Sequence, residues 1–248
     1  MLSRRQLLAL SAAAAALRCA SQKVEMNADA KQGRLNARPA AAVAASNGAK
    51  GLRRLANGFV YVPDSYEAER AAPLIVVLHG AGGGPESMLR LMTPHADRIG
   101  AVVIVPQALG TTWDIIERRS LGPDVQRIND LLALVFEHYN IDAKRVCVSG
   151  FSDGGSYALT LGIGNGDLFT HVIAFSPGFM SARVQNGASR YFISHGTRDQ
   201  VLPVDRCGRY VSAELKRAGF DVQYREFDGP HTVPADIATE AIRWFAGA

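Results

Sequence analysis

Short apolar runs recur along the chain from residue 51 onward and alternate with segments of helical periodicity. Leu74–Leu78 consists of five consecutive apolar residues, which is typical of a strand buried on both faces of a parallel sheet. Similar runs occur at 101–105, 146–149, 172–175 and 191–194. Strands of this kind separated by helical patterns predict an α/β fold.

Two amphipathic patterns predict helices that pack on this sheet. The first follows Asp124, a candidate N-cap residue, and consists of Val125, Ile128, Leu132, Val135 and Tyr139. The second closes the chain and consists of Ile237, Ala241, Trp244 and Phe245. Gly58–Val62 is followed by Pro63 and is typical of an edge strand.

The first fifty residues differ in composition from the rest. Residues 1–20 combine a basic start with an alanine-rich apolar run, which indicates an export signal too short for a permanent transmembrane anchor. The string Ser-Arg-Arg-Gln-Leu-Leu from Ser3 resembles a twin-arginine signal. Cys19 is a candidate lipoprotein acceptor, although Arg18 stands where a small residue is expected. We expect a flexible alanine-rich linker at 21–50, a catalytic domain at 51–248, and a periplasmic or secreted protein.

The positive charge of the chain belongs to this N-terminal part. The sequence has 27 basic and 23 acidic residues, but residues 1–50 contain eight of the basic and two of the acidic ones. The remainder is close to neutral and carries no basic stripe with interleaved aromatic residues. Nucleic acid is therefore not expected as a partner.

A glycine-flanked serine carries the clearest chemical signal. Residues 150–155, Gly-Phe-Ser-Asp-Gly-Gly, follow a predicted strand and precede a helix-like stretch. This arrangement is typical of a nucleophile elbow, where small neighbours allow a tight turn that exposes the serine hydroxyl. Ser152 is the candidate nucleophile, with an ordinary glycine-rich turn as the alternative.

An acid and a histidine follow Ser152 in the order expected for such an elbow. His231 lies in a loop after the predicted strand Val222–Phe227 and is the candidate general base. Asp199 also follows a predicted strand and would hold the imidazole in the required tautomer. The alternatives are His195 for the base, and Asp205 or Asp228 for the acid.

The charge that develops on an attacked carbonyl oxygen requires backbone N–H donors. The candidate donors are Asp153, directly after the nucleophile, and Ala81 in the glycine-rich loop that begins at His79. Aromatic candidates for substrate binding are Trp113, Phe151 and Phe179, and a place in the core is the alternative for Trp113. Only residues 177–189 separate two predicted strands, which is too short for a lid domain and favours an open site.

Cofactor and metal sites have no support in the sequence. The loop Gly80–Gly84 continues to Pro85 without the pattern of a phosphate-binding loop, and the six histidines form no metal-binding motif. Cys147 lies within a predicted strand and is expected to be a buried thiol, and we expect no disulfide with Cys207.

Together these motifs resemble the α/β-hydrolase superfamily, in its phospholipase/carboxylesterase branch, from about Phe59 to the C-terminus. The segments that carry this resemblance are 78–83, 150–155, 195–203 and 229–231. Residues 139–146 are also similar to exported polyhydroxybutyrate depolymerases and feruloyl esterases, although Ala81 stands where those enzymes usually have cysteine. The resemblance implies a mostly parallel central sheet with helices on both faces.

The resemblance also implies a cofactor-free ester hydrolase that forms an acyl-enzyme on Ser152, with Asp199 and His231 completing the triad. Short- to medium-chain esters are expected, and lysophospholipids, thioesters and polysaccharide-linked acyl groups remain open as substrates. The alternatives are a serine peptidase and a non-catalytic scaffold that binds a ligand or partner. The oligomeric state is left open.

Overall fold

Eight strands form one sheet in the computed structural model, which describes residues 28–39 and 48–247. The strands are β1 Gly51–Leu55, β2 Gly58–Val62, β3 Ala72–Leu78, β4 Val102–Pro106, β5 Ile141–Phe151, β6 His171–Phe175, β7 Arg190–Gly196 and β8 Val222–Phe227. Their order across the sheet is β1-β2-β4-β3-β5-β6-β7-β8. The pairs β1/β2 and β2/β4 are antiparallel, and the other neighbours are parallel.

Helices cover both faces of this sheet. They are α1 Ala28–Lys31, α2 Pro85–Ile99, α3 Asp114–Glu117, α4 Pro123–His138, α5 Asp153–Gly164, α6 Tyr210–Arg217 and α7 Ala235–Ala246, with a π-helical turn at Asp205–Arg209 before α6. The apolar sides of α4, α5 and α6 share one hydrophobic core, and those of α2 and α7 share another. The predicted α/β architecture, mostly parallel with helices on both faces, is confirmed.

Strand β3 shows why continuous apolar runs predict this arrangement. Successive side chains of a strand point to opposite faces of the sheet. Leu74, Val76 and Leu78 therefore contact the core under α4 and α5, whereas Ile75 and Val77 contact the core under α2 and α7. All five are fully buried, so neither face of the strand tolerates a polar position.

Two details of the predicted elements were wrong. Strand β2 is an inner strand, because β1 (Gly51–Leu55) pairs with it and forms the edge of the sheet. Asp124 is not the N-cap of α4, which begins at Pro123 after Gly122. Its buried carboxylate instead accepts the backbone N–H groups of Leu109 and Asp114.

Residues 28–39 lie inside the range 21–50 expected to be a flexible linker, yet they pack against the domain. The side chain of Leu35 is fully buried. Asn165 accepts the Leu35 N–H and donates to the Gly33 carbonyl, while Arg34 and Arg38 both pair with Asp167. This part of the chain is not a free tether, because its backbone polar groups are bound by a buried asparagine.

The predicted export signal and the candidate acceptor Cys19 lie outside the described residues. Within the described residues, no helix combines the length and apolar character needed to cross a membrane. Cys147 and Cys207 are both buried free thiols. Burial raises the pKa of both, most strongly that of Cys147, so neither is activated as a thiolate.

The topology gathers the predicted site residues at one edge of the sheet. Strands β3, β5, β6, β7 and β8 run parallel, so the loops that follow them all leave at their carboxyl ends. Those loops contain the glycine-rich segment after β3, Ser152 after β5, Asp199 after β7 and His231 after β8.

Candidate active site

Ser152 occupies a tight turn between β5 and α5. Its φ of 58° and ψ of −121° lie in a region that non-glycine residues rarely adopt, and such a conformation costs on the order of 1–3 kcal/mol. The flanking glycines permit the close approach of neighbouring backbone. A Cβ on Gly150 would lie 2.2 Å from the Gly154 carbonyl oxygen, and one on Gly154 would lie 2.2 Å from that of Leu78. The local backbone is therefore the strained elbow that the motif predicts.

Three side chains from separate loops form one hydrogen-bonded chain. The Ser152 Oγ lies 2.8 Å from His231 Nε2, and His231 Nδ1 lies 2.6 Å from Asp199 Oδ2. The second oxygen of Asp199 accepts the backbone N–H groups of Val201 and Leu202 at 2.9 and 2.8 Å. The carboxylate is fixed on both oxygens, so the imidazole has one well-defined partner.

The surroundings of Asp199 favour its charged form. Burial by itself raises the pKa of this carboxyl, but the hydrogen bonds from the Leu202 amide, His231 and the Val201 amide outweigh it, and the net pKa is lowered. The carboxylate therefore stays ionised at neutral and mildly acidic pH. It can stabilise the positive charge that forms on the imidazole when Ser152 gives up its proton.

The alternative base contacts the candidate acid rather than Ser152, and the alternative acids lie on the surface. The fully buried His195 lies with Nε2 2.7 Å from the Leu202 carbonyl oxygen and 3.2 Å from Asp199 Oδ2, and burial lowers its pKa. Because the carbonyl can only accept, Nε2 of His195 carries the proton. The alternative acids pair with surface arginines, Asp205 with Arg209 and Asp228 with Arg198.

The glycine-rich loop after β3 runs beside the nucleophile. A Cβ on Gly80 would lie 3.3 Å from the Ser152 Cβ, and the loop is fixed by the bonds from Gly82 N–H to the Thr111 carbonyl and from Gly83 N–H to the Gly80 carbonyl. Ala81 is exposed between these anchors. Asp153 is the first residue of α5, where helical N–H groups have no partner within the helix. One candidate donor thus lies in the glycine-rich loop beside Ser152, and the other is the first residue of α5.

His79 stabilises the base of this loop as a neutral imidazole. Its Nε2 accepts the backbone N–H of Ala108, so Nδ1 carries the proton and donates it to the Gly80 carbonyl. Burial lowers the pKa of this histidine, despite the opposing bond to Gly80. The hydrogen bonds of His79 and its lowered pKa therefore both indicate a neutral imidazole.

The structure corrects the prediction that Trp113 lines a substrate pocket. The ring has no exposed surface, stacks on Tyr157 with centroids 5.1 Å apart, and donates its Nε1–H to the His79 carbonyl at 2.8 Å. Through this hydrogen bond, the Trp113 indole stabilises the start of the glycine-rich loop. Phe151 is half-buried with its ring 4.7 Å from that of His231, and Phe179 is half-buried in the segment after β6. Substrate contact remains a prediction for these two.

A buried polar cluster beneath the site was not predicted. Asp114 accepts the N–H groups of Gly122 and Asp124 and the hydroxyl of Tyr157. Burial raises the pKa of Asp114 and that of Asp124, although the hydrogen bonds that each carboxyl accepts oppose this increase. The only sequence signal was the presence of two aspartates, Asp114 and Asp124, and aspartates are equally common in solvated turns.

Comparisons with known proteins show sequence similarity to esterases. A family model described as putative esterase matches residues 127–189, which include Ser152. The chain is 31% identical over 155 residues to a bifunctional acetylxylan esterase/xylanase of Neocallimastix patriciarum, covering 58% of this chain and 21% of that protein. It is 28% identical over 173 residues to a probable feruloyl esterase C of Aspergillus niger, covering 63% and 60%.

A structural neighbour extends the similarity to nearly the whole fold. The crystal structure of esterase PE8 matches with a TM-score of 0.64 at 19% identity, over 79% of this chain and 99% of that one. The chain spans less than two thirds of the length of the two curated relatives named above. The predicted resemblance to α/β-hydrolase esterases is confirmed, and the fold is that of an α/β-hydrolase.

Proposed function

We propose that this protein is a serine carboxylic-ester hydrolase. The observation that carries the proposal is the hydrogen-bonded chain from Ser152 through His231 to Asp199 on a strained elbow. A non-catalytic scaffold would have no need of a costly backbone conformation at Ser152 or of a doubly anchored carboxylate at Asp199. The names of the similar proteins, which are esterases, support the same reaction class.

The proposed reaction proceeds through an acyl-enzyme. Ser152 Oγ attacks the ester carbonyl carbon while His231 Nε2 takes its proton, and the tetrahedral oxyanion is bound by the amides of Asp153 and Ala81. The C–O bond to the alcohol then breaks, and the imidazolium returns the proton to the leaving oxygen. Water then attacks the acyl carbonyl while His231 takes one of its protons. The bond from the acyl carbon to Ser152 Oγ breaks, and the imidazolium returns the proton to Oγ, which releases the carboxylic acid and regenerates Ser152.

Among the open substrates, esters of acyl groups on a polysaccharide have the most support. The two curated relatives described above are named for acetylxylan and feruloyl esters. The connection between β6 and β7 spans residues 176–189 and contains no helix, which supports an open site that a bulky polymer could approach. Lysophospholipid and thioester hydrolysis would use the same catalytic residues, so these two substrate classes stay open.

We also propose that the chain is exported. The proposal rests on the twin-arginine-like string at Ser3 and on the basic, alanine-rich composition of residues 1–20. Fractionation of cells expressing the full chain, with and without Arg4→Lys and Arg5→Lys together, tests it. Export that is unaffected by the double substitution would contradict the twin-arginine route.

We expect kcat/KM to rise from acidic to neutral pH. A histidine can act as general base only as the neutral imidazole. The lowered pKa of Asp199 keeps that carboxylate ionised at mildly acidic pH, so its own protonation does not contribute to the rise. Initial rates on a nitrophenyl ester at low substrate give the profile.

The matched variant for this profile is His195→Gln, which alters the other histidine near Asp199. It should retain the rise of kcat/KM with pH, and His231→Ala should lose this rise together with most activity. The same pH-dependent rise in His231→Ala would contradict the assignment of the base.

Activity should peak at short to medium acyl chains. A methylene that becomes buried contributes roughly 0.8 kcal/mol, so kcat/KM climbs with chain length only while the site can still cover the chain. Among the described residues, the β6–β7 connection is too short to form a helical cover over a long one. A series of nitrophenyl esters from acetyl to palmitoyl, measured below micelle formation, tests this expectation. A continuous climb to palmitoyl with activation by micelles would contradict the open site.

A further inference from the structure

The three residues 111–113 contact both segments that supply the candidate oxyanion donors, the glycine-rich loop and the first turn of α5. The Thr111 carbonyl accepts the N–H of Gly82, directly after Ala81, and the Trp113 indole donates to the carbonyl of His79. Between them, Thr112 Oγ1 donates to Asp153 Oδ2 at 2.6 Å. One short segment thus joins the glycine-rich loop to the first turn of α5, although 41 residues separate Thr112 from Asp153.

The carboxylate of Asp153 places a negatively charged group beside the candidate nucleophile. It follows Ser152 directly, and its own backbone N–H is a candidate oxyanion donor. A negative charge that turned toward the carbonyl oxygen would oppose the charge forming there, and this opposition is strong where water is excluded. A side chain at this position therefore needs a partner that fixes its direction.

Thr112 is suited to be that partner. Its side chain is buried, and a hydroxyl that donates to a carboxylate at 2.6 Å makes a short, charge-assisted hydrogen bond. The segment that carries it is itself anchored, because the indole of Trp113 stacks on Tyr157 and the Tyr157 hydroxyl donates to Asp114. The hydroxyl is thus presented from rigid backbone rather than from a mobile loop.

We propose that Thr112 is a positioning residue for the oxyanion site, which it serves by holding the Asp153 carboxylate against the 111–113 segment. The inference rests on the proposed ester hydrolysis. Thr112 itself does not touch the reacting atoms in this account. It acts through Asp153, and without its hydroxyl the carboxylate becomes free to turn toward the developing negative charge.

Thr112→Val keeps the shape of the side chain and removes the hydroxyl. We expect kcat for nitrophenyl acetate to fall about 10- to 100-fold with little change in KM, because only the transition state carries the oxyanion. Thr112→Ser should recover most of the loss. Thr239→Val is the matched control, since Thr239 hydrogen-bonds within α7 through its hydroxyl and should leave kcat unchanged.

The decisive comparison repeats Thr112→Val in an Asp153→Ala background, which retains the backbone N–H but removes the carboxylate. If Thr112 acts through that carboxylate, the valine substitution should then change kcat by less than about twofold. Thermal unfolding of each variant shows whether the loops remain folded.

An active wild type in which Thr112→Val costs nothing, or costs the same in both backgrounds, would overturn the role of Thr112 alone. A folded wild type that hydrolyses no ester would overturn the proposed function, and this proposal with it.

Discussion

Replacing Ser152 with alanine should lower kcat/KM for a nitrophenyl ester by three orders of magnitude or more. The triad residues act as a unit around one nucleophile, so the loss of the hydroxyl leaves only the residual effect of the binding site and the oxyanion donors. The substitution removes a single oxygen from a residue that contacts His231 through it. The fold should be unaffected by this loss, and circular dichroism with initial rates measures both.

The control for Ser152→Ala is Ser65→Ala. Ser65 is exposed and lies near the amino-terminal end of β3, whereas Ser152 lies at the carboxyl ends of the parallel strands. Its substitution should leave kcat/KM unchanged. Ester hydrolysis that survives in folded Ser152→Ala would show that another group attacks the substrate.

Asp199→Asn should lower kcat about 10³- to 10⁴-fold near neutral pH. The amide carries no charge to stabilise the imidazolium. If its NH2 group faces His231 Nδ1, it also favours the tautomer with the proton on Nε2, which cannot accept the proton of Ser152. Initial rates at saturating substrate measure the effect.

Asp228→Asn is the matched control for this substitution, because Asp228 pairs with Arg198 on the surface and was an alternative acid in the sequence. It should retain wild-type kcat. A larger loss in Asp228→Asn than in Asp199→Asn would show that the wrong carboxylate has been placed in the triad.

The sequence predicts the inner parallel strands well because both of their faces are buried. Leu74–Leu78 has no polar position, and this uninterrupted apolar run is typical of a strand buried on both faces. The antiparallel edge strand β1 is harder to predict from the sequence. Its exposed positions lie between partly buried ones, so it resembles a polar loop. The packing of residues 28–39 could not be predicted from the local sequence either, because it depends on Asn165, more than a hundred residues away.

For the site, chain order and loop position sufficed to identify Ser152, Asp199 and His231 as candidates. They carry recognisable signals because nucleophile, acid and base each follow a strand at the same edge of the sheet. Trp113 carries no such signal, since a tryptophan after a strand packs equally well in a core or a pocket, and only the stacking on Tyr157 decides between them. The contact of Thr112 with Asp153 likewise exists only in the folded chain.

Covalent labelling of the purified protein with a fluorophosphonate tests the central claim most directly. The reagent phosphonylates a serine that a neighbouring base activates, and mass spectrometry of the digested protein identifies the modified residue. We predict one adduct, on Ser152, which is absent in Ser152→Ala and forms far more slowly in His231→Ala. A folded protein that remains unlabelled, or that is labelled at another serine, would contradict it.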